Sequence, residues 1–317
     1  MRTLVVGAGA TGGYFGGRLL EAGRDVTFLV RPARQEQLRR TGLVLRSRFG
    51  DARLAAPTVL ADDLRDPFDL VLLAVKSYGL DDAVAPLGPT VGPGTAVLPL
   101  LNGMRHLDAL DRRFGPDRVL GGLCAIAATL GPDGEVVHLN DKHLLVFGER
   151  AGGRSPRADA IAELMAPANM ASKASEHVLH AMWEKWVMLA ALAGVTCLMR
   201  AAVGDVSAAP GGRELILQML AETAAVAAAH GFAPRPAFLD QCRAMLLEPG
   251  SGFTASMLRD IERGGPTEGD HVLGDLVARA DARGVPVPLL RVAYCHVKAY
   301  EERRRRERPT PTPPKNP

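Results

Sequence analysis

The 317-residue sequence predicts an α/β unit built on a parallel sheet, followed by an all-helical unit. Three observations predict it. Through the first half, short near-continuous apolar runs alternate with helix-like stretches, the pattern of strands covered on both faces by crossover helices. A glycine-rich string, "VVGAGATGG" at residues 5–13, stands at the end of the first such run. From about residue 156 the alternation stops, and helical patterns punctuated by Gly and Pro take over.

Each element follows from its local pattern. "RTLVVGA" is a compact apolar run ending in glycine and reads as a buried strand; residues 11–22 read as a helix closed by Gly23. "DVTFLVR" is a second strand, and "PARQEQLRRTG" a short polar helix that again stops at glycine. After a hairpin-like stretch, "FDLVLLAVKS", "TAVLPLLNG" and "RVLGGLCAIAATL" read as further strands of the parallel sheet. "GEVVHLNDKHLLVFGE" (134–149) reads as a closing antiparallel pair. "RADAIAELMAPAN" is helical, and "ASKASE" leads into a long apolar helix over 178–199. Helices are expected near 213–230, 235–247, 254–263, 270–283 and 288–305. The expected domains are 1–170, a Rossmann-type dinucleotide-binding domain; 171–305, an all-α substrate domain; and 306–317, a disordered Pro-rich tail.

Composition narrows the function class. A hydrophobic content of 47% with 23% charged residues is that of a soluble globular protein. The net charge of +3 resides in residues 301–317, where six basic groups meet three acids, so the body is neutral. A neutral body argues against a nucleic-acid partner. Cys124, Cys197, Cys242 and Cys295 are far apart and form no C-x-x-C pair, which predicts neither a metal site nor a disulfide framework and fits the cytoplasm. The N-terminal residues lack the apolar stretch and cleavage site of a signal peptide. The longest uncharged apolar run, "WVMLAALAGVTCLM" (186–199), is shorter than the ~20 residues of a bilayer span. It is expected to be a buried core helix, with no membrane partner.

The glycine string has the G-x-G-x-x-G spacing, and its setting after a strand and before a helix makes it specific. Gly7 permits the tight turn, Gly9 lets a pyrophosphate approach the backbone, and Gly12 lets the helix pack on the sheet. Gly7, Ala8, Gly9, Ala10, Thr11 and Gly12 are the expected phosphate-binding turn, with the helix N-terminus directed at the phosphates. Gly9, Gly13 and Gly17 also recur every four residues, so a ligand-free packing helix is the competing reading. At the end of the second strand an NAD site would place an acid on the ribose. This chain has Arg31, with Arg34 behind it. A guanidinium suits a 2′-phosphate, so NADP(H) is the expected cofactor.

"GAGATGG", "AVKSY", "LLNGM", "MWEKW", "SMLRDI" and "PTEGD" occur in that order. The sequence thereby resembles the ketopantoate reductase (2-dehydropantoate 2-reductase) family over residues 1–300. The resemblance implies that Lys185, in the W-x-K helix, is the proton donor and also touches substrate. It implies that Lys76 approaches nicotinamide and substrate, and that Asn102 binds the nicotinamide ribose and helps define the substrate site. It further implies that Ser256 binds the substrate carboxylate and that Glu268 lies near the ribose and the reacting groups. Each has a plainer alternative. Lys185 reads as a snorkelling helix lysine, Lys76 as a solvent-facing strand end, Asn102-Gly103 as a simple turn and Ser256 as a helix-start serine. "TEGD" reads as a capping box from Thr267 to Asp270.

The sequence departs from the resemblance at two positions. Leu189 and Ala193 stand four and eight residues after Lys185, where the family carries asparagines that contact substrate. The expected function is NADPH-dependent reduction of a 2-keto acid, with 2-dehydropantoate to pantoate, in pantothenate and coenzyme A biosynthesis, as the leading substrate. The alternatives are reduction of another oxo acid or an imine, and a non-catalytic NADP(H) sensor. The expected partners are a small 2-keto acid and a second copy in a homodimer.

Overall fold

The first strand, β1 (Thr3–Val6), is buried along its whole length. It is followed by α1 (Ala10–Glu21), β2 (Val26–Leu29), α2 (Pro32–Thr41), the hairpin β3 (Leu43–Arg46) and β4 (Ala52–Leu54), β5 (Thr58–Val59), β6 (Leu70–Leu73), α3 (Leu80–Val84), β7 (Ala96–Pro99) and α4 (Arg105–Phe114). The structure, a computed structural model, describes residues 1–307. Strands run β5-β2-β1-β6-β7 in one sheet, every neighbour parallel. The chain steps from β1 to β2 on one side and returns to β6 on the other. The crevice beyond the C-terminal ends of β1 and β6 is therefore a topological switch point, where α/β sheets bind ligands.

A second sheet completes this unit. β8 (Gly121–Leu130) leaves the parallel sheet after a single bridge from Val119 to Val97. It pairs antiparallel with β9 (Val136–Gly148), with a register break between Ile126 and Ala128. This corrects two expectations: "RVLGGLCAIAATL" is not a strand of the parallel sheet, and 134–149 is one long strand rather than a pair. The apolar run alone cannot tell which sheet a strand joins. After α5 (Pro156–Met165), β10 (Ala171–Ala174) pairs parallel with β9, so "ASKA" extends the sheet before the long helix begins. The compact units divide in sequence between Met182 and Trp183, a few residues into α6, beside the boundary expected at 170.

Helix α1 lies between the two sheets, and its glycines serve both. A Cβ on Gly16 would stand 2.7–2.8 Å from Phe28 and Val5 of the parallel sheet. One on Gly13 would meet Val136 at 2.8 Å, and one on Gly17 would meet Leu43 and Leu45 at 3.1 Å. The regular spacing of glycines is thus packing at Gly13 and Gly17, whereas the outer side of Gly9 faces open space. Around α1 lies one apolar core that includes Val5, Phe15, Phe28, Leu43, Leu72 and Leu145.

The second unit is helical. It holds most of α6 (Val178–Met199), then α7 (Val203–Ala208), α8 (Gly212–Ala229), α9 (Pro236–Leu246), α10 (Ser256–Glu262), α11 (Asp275–Ala282) and α12 (Pro288–Glu307). The helix expected over 270–283 begins instead as a π-helical turn, Asp270–Gly274. Helix α7, absent from the sequence expectations, is a single short stretch in which the Asp205 carboxylate accepts the Ala202 N–H. At 22 residues α6 is long enough to cross a bilayer, so length does not decide its role; 72% of its most apolar window is buried inside the protein, the property of a core helix. Of the tail expected at 306–317, Arg306 and Glu307 end α12, and the remainder lies outside the described residues.

Candidate functional site

In the N-terminal unit the candidate cofactor-binding residues offer mainly backbone. Gly7 has φ +95°, a conformation only glycine adopts without strain, and it turns the chain from β1 toward α1. A Cβ on Gly12 would fall 2.0 Å from the Gly7 carbonyl oxygen, so this crossing of turn and helix exists only without a side chain. Nothing lies within 4 Å of a Cβ placed on Gly9, which leaves its outer side open. The N-terminus of α1 has neither a side-chain cap nor an acid in its first turn. Its first intrahelical bond runs from Gly13 N–H to Gly9 C=O, leaving the N–H groups of Ala10, Thr11 and Gly12 for an external acceptor. Free donors, a positive dipole end and an uncovered backbone fit a pyrophosphate. Ala8 points the other way, 4% exposed, into the core.

Arg31 is the N-cap of α2, just beyond β2. Its side chain is 82% exposed, and its ion pair to Asp82 is long, at 3.9 Å. The guanidinium is therefore available to an anion at the end of β2. Arg34 is differently placed. It donates to the Ala8 carbonyl (3.0 Å) and the Gly134 carbonyl (2.8 Å), and burial pulls it below the ordinary arginine value. It braces the glycine turn rather than facing a ligand. Lys76 and Asn102 follow β6 and β7, neighbours on the same side of the switch point, and both are half-buried. Gly103, with φ +73°, makes Asn102-Gly103 a turn that leads into α4, so the turn reading and a ribose contact coexist.

In the C-terminal unit the candidate residues are side chains on pinned elements. Lys185 is half-buried on α6 and, among the described residues, has no hydrogen-bond or ion-pair partner. Both its neighbours in sequence are fixed. Glu184, 3% exposed, accepts from the main-chain N–H and Nε of Arg235 at 2.9 Å each and from its Nη2. Trp186, 1% exposed, donates its indole N–H to the Val272 carbonyl at 2.8 Å. Leu189 is half-buried and Ala193 is 1% exposed, so the turns after Lys185 present apolar groups. Ser256 is the first residue of α10, with Ala255 as its N-cap, so its hydroxyl does not cap the helix. Thr196 of α6 reaches that same helix start, where its Oγ1 accepts the Ala255 N–H at 3.4 Å.

Glu268 is 6% exposed, and α12 clamps the segment that carries it. Thr267 hydrogen-bonds Glu301, and its Oγ1 accepts the Gly269 N–H at 3.1 Å. Asp270 accepts from the Tyr294 hydroxyl (2.7 Å) and from Lys298 (3.0 Å). The expected capping box thus gives way to partners on α12. Tyr300 and Arg304 hold the carbonyls of Gly265 and Gly264 at 2.8 and 2.7 Å. Burial works against the Lys298 charge, but hydrogen bonds to Glu301 and Asp270 outweigh it and hold the ammonium above its ordinary value. Sequence reasoning named Arg34 only as standing behind Arg31, and it missed Glu184, Trp186 and Lys298. Only "MWEKW" signalled any of them, because Glu184 and Trp186 flank the lysine.

Both parts of the chain match known proteins. The family described as "Ketopantoate reductase PanE/ApbA" matches residues 3–152, and "Ketopantoate reductase PanE/ApbA C terminal" matches 177–301. The chain is 36% identical over 301 residues to an uncharacterized oxidoreductase, YkpB, of Bacillus subtilis, covering 95% of this chain and 99% of that one. It is 28% identical to a 2-dehydropantoate 2-reductase of Mesorhizobium japonicum over 85% of this chain and 88% of the relative. Among solved structures, the 2-dehydropantoate 2-reductase from Methylococcus capsulatus superposes with a TM-score of 0.85 at 28% identity, over 96% of this chain and 98% of that one. A D-mandelate dehydrogenase solved with NADH and anilino(oxo)acetate shares the fold, with a TM-score of 0.85 at 22% identity over 96% of this chain and all but 1% or less of that one. From a glycine turn that fits a dinucleotide to a helical unit holding a half-buried lysine, the chain belongs to the ketopantoate reductase family of nicotinamide-dependent oxidoreductases acting on CH–OH groups.

Proposed function

We propose that this chain reduces a 2-oxo acid with NADPH, and that 2-dehydropantoate, reduced to pantoate for pantothenate and coenzyme A synthesis, is the leading substrate. The observation that carries the reading is Lys185, a half-buried amine with no partner among the described residues, at the W-x-K position of the family. Bound NADPH supplies a hydride to the ketone carbon. Lys185 delivers the proton to the oxygen as it becomes an alkoxide, completing the alcohol. Ser256 and Asn102 hold the substrate, and Glu268 sets the polarity around the reacting groups. Lys76 lies toward the nicotinamide. Arg31 takes the 2′-phosphate through a forked, charge-assisted contact, which supports NADP(H) over NAD(H).

Leu189 and Ala193 favour a second substrate reading, a less hydroxylated or bulkier oxo acid. Two side-chain amides that would serve hydroxyl and carboxylate groups are absent, each worth about 0.5–1.5 kcal/mol. The test is NADPH oxidation against a panel of 2-oxo acids that includes 2-dehydropantoate. Turnover of 2-dehydropantoate supports the pathway; turnover of other acids alone moves the substrate; no turnover removes the enzyme reading and leaves an NADP(H) sensor. The reading places the protein in the cytoplasm. Cys124, Cys197, Cys242 and Cys295 are free thiols, and burial pushes Cys197 and Cys242 up to about 12, as inert core groups. It also includes a homodimer, checked by sedimentation.

A further inference from the structure

A chain of two hydrogen bonds joins the segments that carry Lys185 and Glu268. The main-chain carbonyl of Glu268 accepts from the N–H groups of His271 (3.1 Å) and Val272 (2.9 Å). The carbonyl of Val272 accepts from the indole N–H of Trp186 at 2.8 Å. Trp186 directly follows Lys185 in α6, and Val272 lies within the π-helical turn Asp270–Gly274. Such turns are rare, and they occur mostly where a local distortion of the helix serves a site.

Bulk alone does not explain a tryptophan here. A buried indole N–H must find an acceptor, and the one it finds is the carbonyl of Val272, the residue whose own N–H donates to the Glu268 carbonyl. Glu184, on the other side of Lys185, is fixed by Arg235 at the start of α9. With both neighbours tied, α6 cannot turn about its axis at Lys185 without breaking one of these bonds. Because 185 and 186 share one turn of helix, the Trp186 bond sets the rotation and height of Lys185 against the 268–274 turn.

We infer that Trp186 is a positioning residue, whose indole–Val272 bond fixes the Lys185 amine relative to Glu268. The inference rests on the proposed roles of those two residues. Its physical basis is that proton transfer tolerates little misplacement, and an error of about 1 Å costs on the order of a hundredfold in rate.

The test compares wild type with Trp186→Phe and with benzothienylalanine at position 186, which keeps the ring shape and replaces the N–H by sulfur. Two readouts are taken on the full chain. One is kcat and KM for the best oxo acid beside the Kd for NADPH. The other is the 13C-dimethyl-lysine NMR signal of Lys185, resolvable in a chain with six lysines and assigned with Lys185→Arg. The expected result is a loss of about tenfold or more in kcat with NADPH Kd within about twofold, together with a shifted and broadened Lys185 signal. A role confined to stability lowers the melting temperature and leaves kcat per folded molecule and the Lys185 signal unchanged; that result overturns the inference. Should the wild type turn over no oxo acid, the proposed function fails, and the Lys185 signal still decides the link. The benzothienylalanine variant keeps the test open where phenylalanine leaves a cavity that prevents folding.

Discussion

The candidate residues of the two units are built from different materials. In the N-terminal unit the candidate residues offer main chain: Gly7 turns, Gly12 admits a crossing, and the N–H groups at the start of α1 have no acceptor among the described residues. In the C-terminal unit they offer side chains. Lys185, Ser256 and Glu268 sit on separate helices or turns, each held by bonds that come from elsewhere in the sequence. A backbone site needs local sequence and little else. A side-chain site needs a scaffold, and Glu184–Arg235, Trp186–Val272 and the stripe of α12 supply it.

The largest effect should come from the proposed proton donor. Lys185→Ala is expected to lower kcat by on the order of 10²–10⁴, with NADPH binding, measured by fluorescence titration, near the wild-type value. Equal losses in both would show that the lysine belongs to the cofactor half, and the contrast would collapse.

Two glycines sharpen the backbone side. Gly12→Ala drives a methyl group into the Gly7 carbonyl and should destabilise the protein by about 1–3 kcal/mol or more in denaturant melts. Gly9→Ala meets open space, so its stability should stay within about 0.5 kcal/mol of wild type. Its NADPH affinity should nevertheless fall, because the methyl group occupies the approach to the backbone. Similar stabilities for the two variants would contradict the assignment of packing to Gly12 and ligand approach to Gly9.

Arg31→Asp removes the exposed guanidinium at the end of β2 and should weaken NADPH by roughly 1.5–3 kcal/mol while affecting NADH less. Equal effects on the two cofactors would remove the 2′-phosphate contact.

The smallest expected effect concerns pH. His143 Nδ1 shares a hydrogen bond with the Tyr14 hydroxyl at 2.8 Å and stacks on Phe49, with ring centroids 3.9 Å apart. Burial, then the nearby His138 and Arg18, hold its imidazole below the ordinary histidine value. The unfolded chain therefore binds a proton before the folded one does. The contribution to stability is complete above about pH 6.5 and is lost as pH falls through the lower, folded value. His143→Gln, which retains a hydrogen-bonding group for Tyr14 and does not titrate, should flatten the acid side of the melting-temperature profile. An unchanged slope would assign acid sensitivity to other groups.

The parallel sheet was legible because an apolar run of four buried residues, bounded by turns, has few other uses; β1, β6 and β7 lie within their expected runs. The second sheet was not, because nothing in "RVLGGLCAIAATL" records its partner. Its antiparallel pairing with β9, and the addition of β10, depend on residues distant in sequence. Likewise "MWEKW" marked Lys185, but the acceptor of Trp186 lies in a π-turn whose pattern reads as ordinary helix.

By itself, then, the sequence determined the order of strands and helices from β1 to α4, the glycine turn and the arginine after β2, and it singled out Lys185, Ser256 and Glu268 as candidates. These are properties of short stretches, set by local sterics, by periodic burial and by the free N–H groups of a helix start. Only the tertiary structure decided that α1 is packed between two sheets, that Arg34 braces the turn while Arg31 stays free of it, and that Lys185 and Glu268 are tied through Trp186 and Val272. Those outcomes depend on which buried donor finds which acceptor, and a buried polar group must find one wherever in the chain it lies.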